Sequence, residues 1–470
     1  MRKAQWGLLL LAAALAAAGC SAPRHGLPLT NEAIDAALTS PAMDVLRVQA
    51  RSIRHPLLAP LEIKEGDGVS PDEAALLAVL ANPSLRAVRD ARGLAAAQLL
   101  QAGLLPNPSL SWGSEFPYAG PDKIVAYNMG FSWDISALVS HAAKVDAAKA
   151  QAASVDLDIA WQEWQVAQSA KSAAWKLLSL QAQLEMAVQA DGLLQDNLKT
   201  VQQAVELQHK TAVDLSAAQA ARQEAHTTVL ELERDLDKQR VALNRLLGLP
   251  AQTQVKMRKE DFPDGPGEPA ATDLQKGLED RRLDLLALRR GYDSQEAAVR
   301  AAVLSRFPKI AAGASHGRDT GGVYTFGYDL SVDLPLFDRN QGGIAIEKAT
   351  RQTLFDEFIN RVFEARNDIA ASAAEIALIR RQITFAQSAV PVLERLVADY
   401  EKAVDAGNAD VLSYYSARND LNKKKIEVLK LKQDLVDAWI ELENASGLCL
   451  TRPGHSAAPA SQPASQGAAP

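Results

Sequence analysis

The sequence predicts a mainly α fold with a small β part, assembled from two copies of one helix–hairpin–long-helix unit. Three observations predict it. Sliding the chain by 200 residues places Leu85 on Leu285, Arg89 on Arg289, Ala97 on Ala297, Leu104 on Leu304, Pro108 on Pro308 and Gly113 on Gly313. A shift of 199 then matches Asp134 with Asp333, Lys149 with Lys348 and Ala150 with Ala349, the mark of a tandem duplication. Within each copy a proline-marked stretch alternates apolar and polar residues with period two, as strands with one apolar and one wet face do. Each alternating stretch leads into a helical run several times longer than the usual helix of about 11 to 12 residues.

The chain opens with Arg2 and Lys3, an apolar run from Leu8 to Ala18 and small residues before Cys20, the layout of a secretory signal peptide over residues 1–19. That run is too short to span a bilayer. Ala16-Ala17-Ala18-Gly19-Cys20 is similar to a lipobox, whose cysteine carries diacylglycerol and an N-acyl chain and becomes the mature N-terminus. Residues 20–70 are therefore expected to form a lipidated N-terminal segment; ordinary cleavage beside an incidental cysteine is the alternative. Cys449 is then the only other thiol, so no internal disulfide can form. The formal charge of −7 becomes −9 when Arg2 and Lys3 leave with the signal, which argues against a nucleic-acid partner. No window after the signal is apolar for long enough to make a transmembrane helix, so a membrane crossing would have to be a closed barrel.

The first repeat is assigned to residues 71–256. Its opening helix is expected from about Asp72 to Leu104, entered through Ser70-Pro71 and stopped by Pro106 and Pro108. Strands are expected over about 107–117 and 124–135, with Leu110, Trp112, Tyr127, Met129, Phe131 and Trp133 on one face and Ser111, Gly113, Asn128, Gly130 and Ser132 on the other. A linker rich in Pro, Gly and acids covers 257–271. The second repeat, 272–450, carries strands over about 309–316 and 323–334, and residues 451–470, biased to Ala, Pro, Ser and Gln, read as a disordered tail.

Segments of about ten residues with apolar-out, polar-in alternation are what a transmembrane barrel strand needs; a soluble hairpin is the alternative. Four strands cannot close a barrel, and an open edge in lipid leaves unpaired backbone groups costing several kcal/mol each. Three chains would contribute twelve strands, inside the bacterial range of about 8 to 26. Several chains must therefore share one barrel, continued by long α-helices. Those helices are expected from Ala137 to about Leu207 and from Ile344 to Val390, with partners over about Val213–Leu247 and Ala409–Ala445. Leu421, Val428, Leu435 and Leu442 recur every seven residues as a coiled-coil seam.

Residues from about Ser70 to Gly447 resemble the TolC-like outer-membrane factors of bacterial efflux and type I secretion systems. The resemblance is carried by Asn82-Pro83-Ser84-Leu85, by the run from Gln101 to Pro108, and by Leu334-Pro335-Leu336-Phe337-Asp338-Arg339-Asn340-Gln341-Gly342. The last motif is similar to the channel subunits of heavy-metal efflux systems of the cobalt-zinc-cadmium type. The resemblance implies a homotrimer whose barrel sits in outer-membrane lipid and whose coiled-coil tunnel crosses the periplasm. It also implies a periplasmic adaptor and an inner-membrane pump, of RND type, docking at the lower end. Cargo would be metal ion, drug or peptide, conducted passively. A structural coiled-coil protein of the periplasm or surface is the alternative from another class.

No catalytic constellation, CxxC pair or phosphate-cradling loop occurs, and His25, His55, His141, His209, His226, His316 and His455 include no pair at a metal-ligand spacing. No enzyme activity, cofactor or metal site is expected beyond the lipid on Cys20. In the family resembled, a glycine and an apolar-rich turn mark the tunnel tip, with acidic residues just beyond. Here Ala406-Gly407-Asn408 opens such a turn, and Ser413 and Ser416 stand at the family's acidic positions, so the carboxylate ring is either absent or displaced to Asp410; in copy one Asp214 aligns with Ser413. The candidate periplasmic aperture is therefore Asp214, Asp410, Ser413, Tyr414 and Ser416. A ring of carboxylates there would favour cations; the alternative is that both aspartates are solvated helix-start residues stabilised by the helix dipole.

Overall fold

The computed structural model describes residues 29–39, 43–64, 66–263, 265 and 267–451. The expected signal peptide, lipidation at Cys20 and the tail beyond Thr451 lie outside the described residues. Two compact units are distinguished, one ending at Ala42. In it, α1 (Asn31–Leu38) starts at Thr30, whose hydroxyl accepts from the Ala33 N–H at 3.3 Å.

The second unit holds both copies. It runs through α2 (Met43–Ser52), α3 (Pro71–Ala81), α4 (Pro83–Gly103), β1 (Ser109–Glu115), β2 (Ala126–Asp134), α5 (Ala137–Glu206) and α6 (Ala212–Leu246). Copy two follows as α7 (Ala271–Gln275), a 3₁₀ turn over Leu278–Asp280, α8 (Leu283–Leu304), β3 (Lys309–Arg318), β4 (Tyr324–Asp333), α9 (Gln341–Asp405) and α10 (Val411–Ser446). The chain is mainly helical with one small antiparallel sheet, and the two copies repeat one element order.

Two expected helix limits are corrected. The single helix expected over Asp72–Leu104 is two helices, because Pro83 disfavours a helical Asn82. The Asn82 carboxamide fills the break: its oxygen caps the Ser84 N–H at 2.9 Å and its nitrogen donates to the Leu246 carbonyl at 3.0 Å. Conversely, the helix expected to stop at Val390 runs through Pro391 to Asp405. Its flanks pack on α10 through Ile376, Ile379 and Val397, and that packing outweighs a penalty of about 3 kcal/mol for an internal proline. At 1.5 Å per residue the 70 residues of α5 extend about 105 Å.

The sheet order is β1-β2-β3-β4, every neighbour antiparallel. The central β2–β3 pairing, Trp133 opposite Ala312 through Tyr127 opposite Arg318, joins the two copies. Strands β1 and β4 are edges without a partner among the described residues. The apolar face is bare: Leu110, Trp112, Phe326, Tyr328 and Leu330 are all more than half exposed.

The helical core binds the copies together. Ser70 and Glu73 form a reciprocal capping box at the start of α3, and Arg258 holds Glu73 at 3.0 Å. Met257 bridges Val69, and Phe262 packs on Trp175, so the stretch joining the copies is fastened to copy one. Gly265, at φ 72°, lies so close under the Trp439 indole that a Cβ would collide with it. Glu443, with no exposure, accepts from the N–H groups of Leu450 and Thr451, each at 2.7 Å, and from Gln168 at 3.0 Å. Lys171 lies 3.5 Å from Glu443 and 3.2 Å from Asp72. Burial alone would lower its ammonium, but those two carboxylates outweigh it and hold Lys171 above its usual range.

Residues 53–63, for which the sequence suggested no structure, form a strap without helix or strand that packs on α5 through His55, Leu57 and Leu58. His55 fixes the strap: its Nδ1 accepts from the Leu57 and Leu58 N–H groups at 3.0 and 3.1 Å, so Nε2 carries the proton given to the Ala160 carbonyl at 2.9 Å. Burial keeps this imidazole below its ordinary range.

Candidate functional site

The α5–α6 and α9–α10 turns are built alike. In the first, Leu207, Gln208 and His209 donate back to Gln203, Val205 and Ala204; in the second, Ala406, Gly407 and Asn408 donate to Lys402, Val404 and Ala403. These bonds satisfy the last helical carbonyls and require one left-handed residue. Copy two supplies Gly407 at φ 72°, whereas copy one uses Gln208 at φ 58°.

The helix starts that follow differ in where the carboxylate stands. In copy one, Thr211 caps α6 and Asp214 reaches back to the Thr211 N–H and hydroxyl, both at 2.8 Å. Those bonds hold the Asp214 carboxyl below its usual range. In copy two the aligned residue is Ser413, too short to reach back, and Asp410 is itself the cap, accepting from the Leu412 N–H at 3.2 Å. Each tip therefore carries one helix-start carboxylate, at the third helical position in copy one and at the cap in copy two. Both aspartates stand at helix starts and accept a backbone N–H there, from Thr211 and from Leu412.

The other aperture candidates separate. Ser416 is exposed beside Leu412, and Ser413 is half-buried. Tyr414 is only 4% exposed and turns into the protomer, under the Arg418 guanidinium, which donates to its hydroxyl. Tyr415 is equally buried, and its hydroxyl donates to the Asn197 carboxamide of α5. Burial pushes that hydroxyl up to about 12, with the charges of Tyr414 and Asp214 adding to the effect. Around the two rings, Leu194 and Val201 of α5, Ala218 of α6, Val397 of α9 and Val411, Ala417 and Leu421 of α10 make one apolar cluster.

Above this cluster Lys423 reaches Glu224 of α6 at 2.9 Å. Hydrogen bonds from Asn419 and Lys423 keep the Glu224 carboxyl low. A cavity of about 270 Å³ lies between α5, α6 and α10, walled by Ala187, Ala190, Ala217 and Ala221 and edged by Ser416 and Asn422. The copy-two hairpin is thus fastened to the copy-one hairpin by a few polar ties over a small apolar cluster. Sequence reasoning missed Asn197, Tyr415, Arg418, Glu224 and Lys423. Only Tyr414 had a local signal, because the heptad of Leu421, Val428, Leu435 and Leu442 extends back onto it and marks it as seam.

Among the described residues no three His, Cys, Asp or Glu side chains converge to hold a metal, and no helix is long and apolar enough to cross a membrane.

Residues 275–448 match the family model described as outer membrane efflux protein. The chain is 24% identical over 378 residues to the cobalt-zinc-cadmium resistance protein CzcC of Cupriavidus metallidurans, covering 79% of this chain and 88% of that one. Among solved structures, CusC aligns with TM-score 0.67 at 16% identity, over 84% of this chain and 99% of that one. The outer membrane protein VceC of Vibrio cholerae aligns with TM-score 0.67 at 18% identity, over 80% and 96%. At these identities the structural matches establish the shared fold.

Proposed function

From the match of residues 275–448 to the outer membrane efflux protein model and the likeness to CzcC, we propose that the chain is the outer-membrane channel subunit of a tripartite efflux system. The observation that carries the reading is the open-edged sheet with an apolar outer face, continuous with helical hairpins of about 100 Å. An edge strand in lipid must pair, and the β1 and β4 edges of three protomers pair into a closed twelve-stranded barrel. Helix α9 supports the same assembly, since Ile346, Phe363 and Phe385 are at least 65% exposed on a single protomer and a neighbour would cover them. The protein then conducts passively from periplasm to exterior, docked to a periplasmic adaptor and an inner-membrane pump of RND type. Likeness to a cobalt-zinc-cadmium resistance protein favours heavy-metal cations as cargo. Lipid on Cys20 would anchor the N-terminal segment on the periplasmic side.

The hairpin tips, with Asp214, Asp410, Ser413, Tyr414 and Ser416, form the periplasmic aperture in this reading, and the ties from α10 to the first hairpin hold it shut. The test is reconstitution. The purified chain should be a heat-modifiable trimer in detergent and conduct ions in planar bilayers, more so when Asp410 and Tyr414 are changed to alanine. A monodisperse monomer, soluble without detergent, overturns the reading; a trimer with unaltered conductance overturns the gate alone.

A further inference from the structure

The outward face of the sheet is apolar except at one end. The row beside the β3–β4 turn is Tyr127, Arg318 and Tyr324 across β2, β3 and β4, and the next row on the same face is Trp112, Met129, His316 and Phe326. Residues two apart on a strand share a face, so the Arg318 guanidinium and the His316 imidazole stand together among aromatic rings. Trp112 stacks on Tyr127 at 5.6 Å, His316 lies 6.1 Å from Tyr127 and 6.4 Å from Tyr324, and the Arg318 guanidinium sits 5.8 Å over the Tyr324 ring. The strand acids Glu115, Asp134, Asp329 and Asp333 all alternate onto the opposite, polar face.

The Arg318 guanidinium makes no hydrogen bond or ion pair with the described residues, and its Nε is shielded and unpaired. The carboxylates of the adjoining turns are engaged elsewhere: Asp319 accepts from the Val323 N–H at 2.9 Å and Asp122 from the Thr320 hydroxyl at 2.7 Å. His316 gives its Nδ1 proton to the Thr325 carbonyl at 2.9 Å, which leaves Nε2 without a protein partner. All four helical connections leave from the far end of the sheet, through Pro106, Ser136, Pro308 and Pro335. If the helices are periplasmic, this cationic end meets the outer leaflet.

A cation on a lipid-facing surface is expensive unless it reaches the interface and finds an anion. Tyrosine and tryptophan rings favour that same level. A guanidinium matches phosphate with two parallel N–H bonds, which distinguishes it from a mere point charge. We propose that Arg318 and His316, flanked by Tyr127 and Tyr324, bind the phosphate-bearing headgroup of an outer-leaflet lipid, one per protomer. Tyr324 holds the guanidinium flat from one side, Arg318 grips the phosphate, and Nε2 of His316 supplies a further contact. The proposal rests on the barrel reading, because only a sheet inserted in a bilayer presents this face to lipid.

The test uses the purified, delipidated trimer and native mass spectrometry, with bisphosphorylated lipid A, its dephosphorylated form and inorganic phosphate as probes. The wild type should retain the bisphosphorylated lipid about tenfold or more over the dephosphorylated one, the scale of losing one charged hydrogen-bonded contact. Arg318→Gln should erase most of that preference, Arg318→Lys should keep part of it, and inorganic phosphate should not compete. Equal retention of the two lipids by wild type, an unaltered Arg318→Gln, or competition by free phosphate overturns the lipid site. If Arg318→Gln does not assemble, the wild-type comparison decides alone. A wild type that is monomeric and takes up no lipid overturns the barrel reading as well, whereas a heat-modifiable trimer indifferent to phosphorylation overturns only this proposal.

Discussion

Tyr415→Phe isolates one of the ties that fasten the copy-two hairpin. The ring stays packed among Leu194, Val411 and Leu421, so only the hydroxyl bond to Asn197 is lost. Such a bond contributes about 0.5–1.5 kcal/mol net, and because Asn197 is half-buried, water can take its place and the lower half applies. About 0.7 kcal/mol per protomer raises the open-to-closed ratio roughly threefold, and if three protomers open together the summed 2 kcal/mol gives about thirtyfold. Adding Glu224→Gln removes the Lys423 pair, whose partners are 64% and 54% exposed and which is worth about 0–1 kcal/mol. Since burial pushes the Tyr415 hydroxyl up to about 12, it stays a donor throughout the range in which bilayers are recorded. The readout is the open fraction of single channels in planar bilayers, with trimer melting run alongside to show that the fold is intact. An intact trimer whose open fraction is unchanged in Tyr415→Phe and in the double variant refutes the reasoning.

Gln208→Gly should stabilise the first tip by about 1 kcal/mol, because glycine takes a left-handed φ without the penalty Gln208 bears at 58°; slower amide exchange at residues 206–210 is the measurement. Glu443→Leu leaves the ammonium of Lys171 buried without this carboxylate and should destabilise by about 3–5 kcal/mol, while adding Lys171→Met recovers in thermal melts the part due to the unpaired charge, the bonds from Gln168, Leu450 and Thr451 staying lost. Equal melting of the single and double variants would show that the charges are not coupled. For His55 the folded-state imidazole is lowered, so the unfolded strap binds more protons. The strap's contribution is complete above the ordinary value of about 6.5 and is lost as pH falls below it. Proteolysis within residues 53–62 should therefore accelerate on acidification, and His55→Gln should flatten that dependence.

What could be read from the sequence is what local periodicity encodes. Alternation around Met129 and Phe326 fixed the strands, and runs free of glycine and proline fixed α5. Proline acts in opposite ways at two positions. Asn82-Pro83 does break a helix, because the Asn82 carboxamide satisfies the freed groups, whereas Pro391 does not, because packing on α10 compensates. The tip ties were invisible for another reason: Tyr415 and Asn197 lie 218 residues apart, and Lys423 and Glu224 lie 199 apart. Such pairs follow from how the copies stack, which no window reports. The His55 strap left no trace because its bonds go to backbone groups, which every residue has.

The strap and the final turn meet α5 close together, His55 at Ala160 and Thr451 through Glu443 beside Lys171. Along the helix those levels are about 16 Å apart and each lies several tens of ångströms from either end of α5. A fluorophore or affinity handle joined after Thr451 would therefore emerge level with mid-helix, remote from membrane strands and tips alike, and could report on assembly without touching conduction. Truncation has a sharp limit for the same reason: removing Leu450 and Thr451 strips Glu443 of three hydrogen bonds and unseats both repeats together.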